Sequence, residues 1–156
     1  MNSPNQKHLT LEDRTFIEQA LKQEMSFKEI GKFLSKDPST ISKEIKKHRI
    51  MKEPNSFHGF TNICTNRKNC KRKNVCNINC HSKCSNCSKC NKFCLDFEEE
   101  ICTFLQSPPY VCNACTHKTS CRLVKYYYQA LPSYAQYKNT LSTSRQGINL
   151  SAEELI

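Results

Sequence analysis

Apolar residues near the start of the chain recur at the spacing of an amphipathic helix. Within residues 10–24, Phe16, Ile17 and Leu21 fall on one arc of a helix with 3.6 residues per turn. Thr10 precedes this arc and can accept a hydrogen bond from the first free backbone N–H groups. The pattern predicts a first helix with one buried face.

Two more helices are predicted immediately afterwards. A capping box at residues 26–29 starts the second helix. Asp37 caps the third, and Pro38 takes its first position, where a missing N–H costs nothing. The short stretch from Ser35 to Asp37 separates these two helices, which is typical of a helix-turn-helix. Gly31 permits the helices to pack closely near the turn.

The outward face of the third helix is polar and basic. Residues 26–52 carry 8 basic and 3 acidic side chains. Short polar side chains early in such a helix reach base edges in the major groove, and lysines further along meet phosphates. We therefore predict DNA binding; the alternative is a three-helix bundle with a solvated basic face. The candidates are Ser39, Thr40 and Lys43 for bases, Ser42 on the flank, and Lys46, Lys47 and Arg49 for phosphates.

All 12 cysteines lie between Cys64 and Cys121. The first 25 residues lack the apolar stretch of a signal peptide, and clustered cysteines inside a cell indicate metal binding rather than disulfides. The predicted metal is zinc, because its binding energy replaces a missing hydrophobic core. The candidate ligands are Cys64, Cys70, Cys76, Cys80, Cys84, Cys87, Cys90, Cys94, Cys102, Cys112, Cys115 and Cys121.

The pairing of these ligands stays open at this point. The run Cys112-x2-Cys115 followed by Cys121 supplies three ligands, and Cys102 or His117 can complete a tetrahedron. His81 also lies beside a cysteine, although thiolate is the favoured ligand. Twelve thiols suffice for up to about three four-ligand sites.

One spacing supports a competing hypothesis. Cys84-x2-Cys87-x2-Cys90-x3-Cys94 matches the bacterial iron–sulfur run, except that Leu95 stands where proline is usual. An iron–sulfur redox sensor or electron carrier is therefore the second function considered. A zinc-stabilised adaptor for protein interactions, or another helix-turn-helix regulator, is the third.

Composition favours a nucleic-acid partner and excludes several classes of protein. The net charge is +10, which suits binding to nucleic acid. With 3 glycines, the chain cannot build a glycine-rich phosphate loop. No apolar run is long enough to span a bilayer, so no membrane association is expected. We expect a cytoplasmic protein.

The predicted fold is mainly α and has three parts. Residues 1–58 form a helix-turn-helix bundle, residues 59–121 an irregular cysteine-rich metal-stabilised module, and residues 122–156 a helical segment. In the last part, the tyrosines of residues 126–128 fall in a helical stretch that Pro132 breaks or kinks. A second capping box at residues 151–154 starts another helix, so a truncated product is expected.

Several ordered motifs resemble one family. Leu9-Thr10-Leu11-Glu12-Asp13-Arg14, Phe27-Lys28-Glu29-Ile30-Gly31 and Asp37-Pro38-Ser39-Thr40-Ile41-Ser42-Lys43-Glu44-Ile45 resemble the N-terminal helix-turn-helix of insertion-sequence-thirty family transposases. Residues 94–98, 108–115 and 144–150 look like the cysteine-rich region and linker of that family. One departure is Ser35, where the family's turn usually has glycine.

The resemblance implies recognition of the terminal inverted repeats of an insertion sequence. The family cuts and joins DNA with three acidic residues and a divalent metal in a later RNase-H-like domain, which we expect to be missing from this chain. We therefore expect no enzymatic activity from the chain. The implied partners are double-stranded DNA and either another copy of the chain or a full-length transposase.

Overall fold

The computed structural model describes residues 8–52, 62–76, 80 and 82–153, with side chains described up to residue 145. These residues confirm a mainly helical fold with a helix-turn-helix at its start. The helices are α1 (Leu11–Lys22), α2 (Phe27–Leu34), α3 (Pro38–His48), α4 (Cys90–Phe93) and α5 (Ala130–Glu153). The strands are β1 (Ile50–Lys52) and β2 (Lys125–Tyr127), and Cys84–Asn86 and Thr103–Gln106 form short 3-10 helices.

The first three helices form where the capping signals predict them. Thr10 and Asp13 cap α1 reciprocally, with the Thr10 hydroxyl accepting from the Asp13 N–H at 3.1 Å. Ser26 and Glu29 form the same reciprocal box at α2. Asp37 caps α3, and Pro38 is its first residue. Local hydrogen bonding therefore fixes all three helix starts.

The hydrophobic core joins these helices to residues far along the chain. Val111 is buried in the core, and the Tyr128 side chain is fully enclosed. The remaining buried members are Leu9, two positions before α1, and residues of the first three helices: Ile17, Ala20, Leu21, Ile30, Leu34, Ile41 and Ile45. The three-helix bundle is thus completed by residues that follow the cysteine-rich segment.

The tyrosine stretch forms a strand, so the helix predicted there is wrong. β2 pairs antiparallel with β1, with Ile50 opposite Tyr127 and Lys52 opposite Lys125. The Asn113 side chain then pairs with the backbone of Tyr128, with both hydrogen bonds at 2.9 Å. These non-local hydrogen bonds favour extended backbone for tyrosines, which suit a strand as well as a helix.

The two predicted boundaries in α5 are also wrong. Pro132 lies in the first turn of this helix, where its missing N–H removes no helical hydrogen bond, so it neither breaks nor kinks it. Ser151 continues α5, which runs to Glu153, instead of starting a new helix. No helix within the described part of the chain has the length and apolarity needed to cross a bilayer.

A segment rich in thiols, residues 62–76, 80 and 82–100, folds largely on itself; we call it the thiol module. Its two ends are held together by backbone hydrogen bonds from Thr65 to Glu98 and from Glu100 to Ile63, each 2.8 Å long. None of its described residues joins the hydrophobic core. The module therefore has little apolar burial to stabilise it.

A buried carboxylate connects α3 to the rest of the bundle. Glu44 accepts from Arg14 of α1, with 2.7 Å between Arg14 Nε and Glu44 Oε1. The hydroxyl of Tyr128 donates to the same oxygen at 3.0 Å. His48 Nε2 lies 3.8 Å from the other oxygen, and its Nδ1 lies 2.9 Å from the side-chain oxygen of Gln136 in α5. Glu44 thus ties three separate parts of the chain together.

Two tyrosine rings lie against the charged groups of this network. The Arg14 guanidinium lies over the ring of Tyr137, 4.6 Å from its centroid. Burial raises the pKa of Tyr128 well above its usual value, and the neighbouring Glu44 carboxylate adds to the rise. Tyr128 therefore stays a neutral hydrogen-bond donor to Glu44.

We predict that Glu44→Ala lowers the free energy of unfolding by about 3–5 kcal/mol, because Arg14 is left buried and unpaired. Tyr128→Phe is the matched control, since it keeps the ion pair and removes one hydrogen bond, at a cost of about 1–2 kcal/mol. Urea denaturation followed by far-ultraviolet circular dichroism measures both. Equal costs for the two variants would contradict the central position given to the Arg14–Glu44 pair.

Candidate DNA-binding face and thiol clusters

Helix α3 presents two chemically different faces. Ile41, Glu44, Ile45 and His48 are buried against the bundle. The residues of α3 predicted to contact bases or phosphates are exposed: Ser39, Thr40, Lys43, Lys46 and Lys47. Ser42, predicted on the flank, is half-buried. The buried ion pair and two isoleucines therefore fix which side of α3 faces outward.

Asp37 sets the start of this outward face. Its carboxylate accepts from the Ser39 N–H at 2.8 Å. Hydrogen bonds from Ser39, with a smaller contribution from Lys43, hold the pKa of the Asp37 carboxyl below its usual value. An ionised carboxylate at this helix end is favoured by the helix dipole. The backbone that carries Ser39 and Thr40 is thereby fixed.

The turn before α3 is tight. Ser35 adopts the left-handed conformation with φ 55° and ψ 42°. The Lys36 N–H then donates to the carbonyl of Gly31 at 2.8 Å. A Cβ on Gly31 would lie only 2.5 Å from the Lys36 carbonyl oxygen. Gly31 therefore permits the close approach that the sequence predicts, and Ser35 adopts the conformation for which glycine is usual.

Two predicted phosphate ligands have contacts within the protein. Arg49 donates to the carbonyls of Tyr110 and Leu105 at 2.9 and 3.3 Å, and its guanidinium lies 4.3 Å from the centroid of the Tyr126 ring. Lys46 Nζ lies 4.2 Å from the centroid of Tyr110. These contacts attach the end of α3 to the segment after the thiol module. A phosphate contact by Arg49 stays a prediction, and its guanidinium already has a structural role.

The sequence interpretation missed the residues that orient this helix. Glu44 falls on the same arc as Ile41 and Ile45, and Arg14 lies on the buried arc of α1. The sequence signal for this pair is that each of two neighbouring helices has one charged residue within its apolar arc. Neither Tyr128 nor Gln136 carries such a signal, because each reaches Glu44 or His48 only through the tertiary fold.

Five predicted metal ligands line one small cavity in the thiol module. The cavity has a volume of about 20 Å³ and is lined by the side chains of Asn62, Arg67, Arg72, Val75 and Phe97 together with Cys64, Cys70, Cys84, Cys90 and Cys94. Burial raises the pKa of the Cys90 thiol to about 11, and the thiols of Cys84, Cys87, Cys94 and Cys64 add to the rise. The fold thus brings thiols that are far apart in sequence close together.

A second set of thiols surrounds Cys112. Burial raises the pKa of the Cys112 thiol, and Cys115, Cys102 and Cys121 contribute to the rise. The Cys115 N–H donates to the Cys112 carbonyl at 3.1 Å, which closes the turn between the two thiols. Cys102 therefore lies near enough to Cys112 to act on it, and His117 is exposed; which of the two completes a ligand set stays a prediction.

The remaining candidates lie outside these two groups. Cys76 is half-buried, and the sulfur of Cys80 accepts from the Ser82 N–H at 3.4 Å. His81 lies outside the described residues. All 12 cysteines are free thiols. Within the described ranges, no three His, Cys, Asp or Glu side chains are already arranged around a metal position, so metal binding stays a prediction.

Comparison with known proteins decides the nature of the first helices. A family described as a helix-turn-helix domain matches residues 5–48. The N-terminal segment is a helix-turn-helix domain. This domain makes DNA the expected partner of the chain, because its second helix, here α3, enters the major groove in proteins of this kind.

One curated relative matches a stretch of the chain longer than this domain. The chain is 37% identical over 73 residues to an uncharacterized 14.4 kDa protein in the laf 3' region of Lactobacillus acidophilus. The match covers 43% of this chain and 59% of that protein. No solved structure matches the chain.

We predict that Ser35→Gly raises the free energy of unfolding by up to about 1 kcal/mol, because glycine adopts the left-handed conformation without the clash of a Cβ. Gly31→Ala is the opposing variant in the same turn, and it lowers stability by about 1–3 kcal/mol through contact with the Lys36 carbonyl. Urea midpoints compare the two. A loss of stability in Ser35→Gly would show that the serine conformation is not strained.

Proposed function

We propose that the chain binds double-stranded DNA sequence-specifically through the outward face of α3. The observation that carries this proposal is that α3 has two opposite faces. One face is exposed, polar and basic, and the other is buried and held by the contacts of Glu44. A helix held in one rotational orientation can present the same side chains to the base edges each time it binds. Specific readout requires such a fixed presentation.

The order of side chains along α3 supports different roles for its two ends. Ser39, Thr40 and Lys43 occupy the first half of the helix and are exposed. Short polar side chains and a lysine there suit hydrogen bonding to base edges. Lys47 lies near the other end and is also exposed. Its ammonium suits a phosphate contact, which contributes affinity without sequence preference.

The DNA we propose is the terminal inverted repeat of a bacterial insertion sequence, with the chain acting as the N-terminal part of a transposase. The support is the ordered set of motifs shared with the insertion-sequence-thirty family and the match of residues 5–48 to a helix-turn-helix domain. Binding to the repeat requires no catalytic residues from this chain. Another copy of the chain or a full-length transposase is the proposed protein partner, in the bacterial cytoplasm at the nucleoid.

We also propose that zinc stabilises the cysteine-rich part of the chain. The support is physical: the thiol module contributes nothing to the hydrophobic core, and its thiols come together without forming disulfides. Binding of zinc to thiolates supplies folding free energy directly, so it compensates for a small apolar core. The module then serves as a folded unit attached to the helix-turn-helix domain.

We predict that Lys43→Ala weakens binding to the preferred site and relaxes preference at one base position, by about 1–3 kcal/mol. Lys47→Ala weakens binding to all sequences alike and reduces the salt-dependence slope by about one. Fluorescence anisotropy with terminal-repeat and scrambled duplexes over a series of salt concentrations measures both effects. Lys22→Ala, at the exposed end of α1, is the control and should leave both quantities unchanged.

The reverse pattern would contradict the proposed placement of α3 in the groove. In that pattern, Lys43→Ala would weaken binding to all DNA sequences equally, and Lys47→Ala would alter the base preference. Binding without salt dependence or sequence preference would contradict the DNA proposal itself. That result would favour the zinc-stabilised interaction adaptor.

We predict that protein purified without oxygen contains zinc and has no visible absorption band. Elemental analysis and an absorption spectrum on the same sample test this. Iron with a brown chromophore would contradict the zinc proposal and favour the iron–sulfur alternative, and DNA binding would then be compared in both redox states. Absence of any bound metal would contradict both.

A further inference from the structure

We propose that Cys64, Cys84, Cys90 and Cys94 together form one thiolate site for a single zinc ion, with the Asn62 side chain supporting it through hydrogen bonds. This ligand set is discontinuous, because Cys64 lies well before the closely spaced run that contains the other three. The inference rests on the proposed zinc stabilisation and assigns which thiols would carry it out. It is independent of the DNA partner.

The cavity in the thiol module is the first argument. All four thiols line it, and its volume of about 20 Å³ is close to the space that one water molecule occupies. A cavity of this size has room for a single ion. Arg67 and Arg72 also line it, and they are ion-paired with Glu100 and Asp96 respectively.

Asn62 is the second argument, because it is 2% exposed and contacts three of the four cysteines. Its side-chain N–H donates to the Cys90 sulfur and to the Cys84 carbonyl, each at 2.8 Å. Its side-chain oxygen accepts from the Cys64 N–H at 2.8 Å. Buried donors that hydrogen-bond to ligand atoms orient them and stabilise their charged form.

The selection of these four thiols follows from two overlapping sets, the cysteines that line the cavity and those hydrogen-bonded to Asn62 or Arg72. Cys70 lines the cavity, but the described contacts include no hydrogen bond between it and Asn62 or Arg72. Cys87 does not line the cavity. The residues common to both sets are those of the proposed site.

Ion binding changes the protonation of these residues. The Cys90 thiol lies within hydrogen-bond distance of the Cys84 and Cys87 carbonyls, which fits a protonated sulfur. Binding one zinc ion as thiolates requires each of the four thiols to release its proton to solvent and the Cys90 side chain to give up these contacts. The Arg72 Nη1 atom, 3.7 Å from the Cys94 sulfur, offsets part of the resulting negative charge.

The test compares zinc content in the full chain and its Cys→Ser variants. Cys64→Ser should bind one zinc ion fewer per chain than the wild type. Ser85→Ala is the matched control, a half-buried side chain of the same module outside the cavity, and Cys87→Ser separates the proposed set from the consecutive run. Both should keep the wild-type zinc content. Elemental analysis after gel filtration provides the measurement.

Misfolding does not obscure this comparison. The hydrophobic core contains no described residue of the thiol module, so the helical circular dichroism signal reports separately on the helix-turn-helix domain. Cys64→His provides a second variant, because histidine is also a zinc ligand. Cys64→His should bind the ion that Cys64→Ser loses. With Co²⁺ in place of zinc, its visible spectrum should shift, because nitrogen replaces one ligand sulfur.

Two results would overturn the assignment. If Cys64→Ser keeps every ion, Cys64 is not a ligand. If Cys64→Ser keeps every ion while Cys87→Ser loses one, the consecutive run Cys84, Cys87, Cys90 and Cys94 holds the metal instead. A wild-type chain with no zinc would overturn the broader proposal of zinc stabilisation, so the two failures are distinguishable.

Discussion

The structure depends on the carboxylate of Glu44, a charge buried inside the helical bundle. Removing a charge from water is costly, and this cost is met only because Arg14 and Tyr128 both donate to the carboxylate. These partners come from α1 and from the residue after β2. One carboxylate therefore specifies how three distant segments assemble. Hydrophobic contacts alone are less directional and would permit more rotation of α3 about its axis.

This arrangement makes the helix-turn-helix domain dependent on the second half of the chain. Tyr128 and Val111 complete its core, and α5 contributes Gln136 to His48 and aromatic rings to Arg14. Arg49 adds a further connection at the end of α3 through two backbone carbonyls. The residues proposed to read DNA are therefore supported from behind by segments on both sides of the thiol module. A change in those segments is transmitted to α3 through direct contacts.

Local signals in the sequence predict the first three helices, since Thr10, Ser26 and Asp37 act through hydrogen bonds to residues two or three positions away. They also predict the exposed face of α3. The strand at Tyr126 and the continuous helix through Ser151 were not predicted, because partners elsewhere in the chain or the preceding helix decide them. For the same reason the sequence could count the thiols but could not group them. Cys64 joins the later cysteines only when the chain folds back.

The pairing of β1 with β2 has a consequence for how the chain can vary in length. Lys52 and Lys125 lie opposite each other, so the stretch of chain between them starts and ends at the same place on the bundle. The entropy of closing such a loop grows only with the logarithm of its length. Residues could be gained or lost within the thiol module with little effect on loop closure, provided that Val111 and Tyr128 still return to the core. The sequence between the two paired strands can therefore change in length, while the contacts that hold α3 in place are retained.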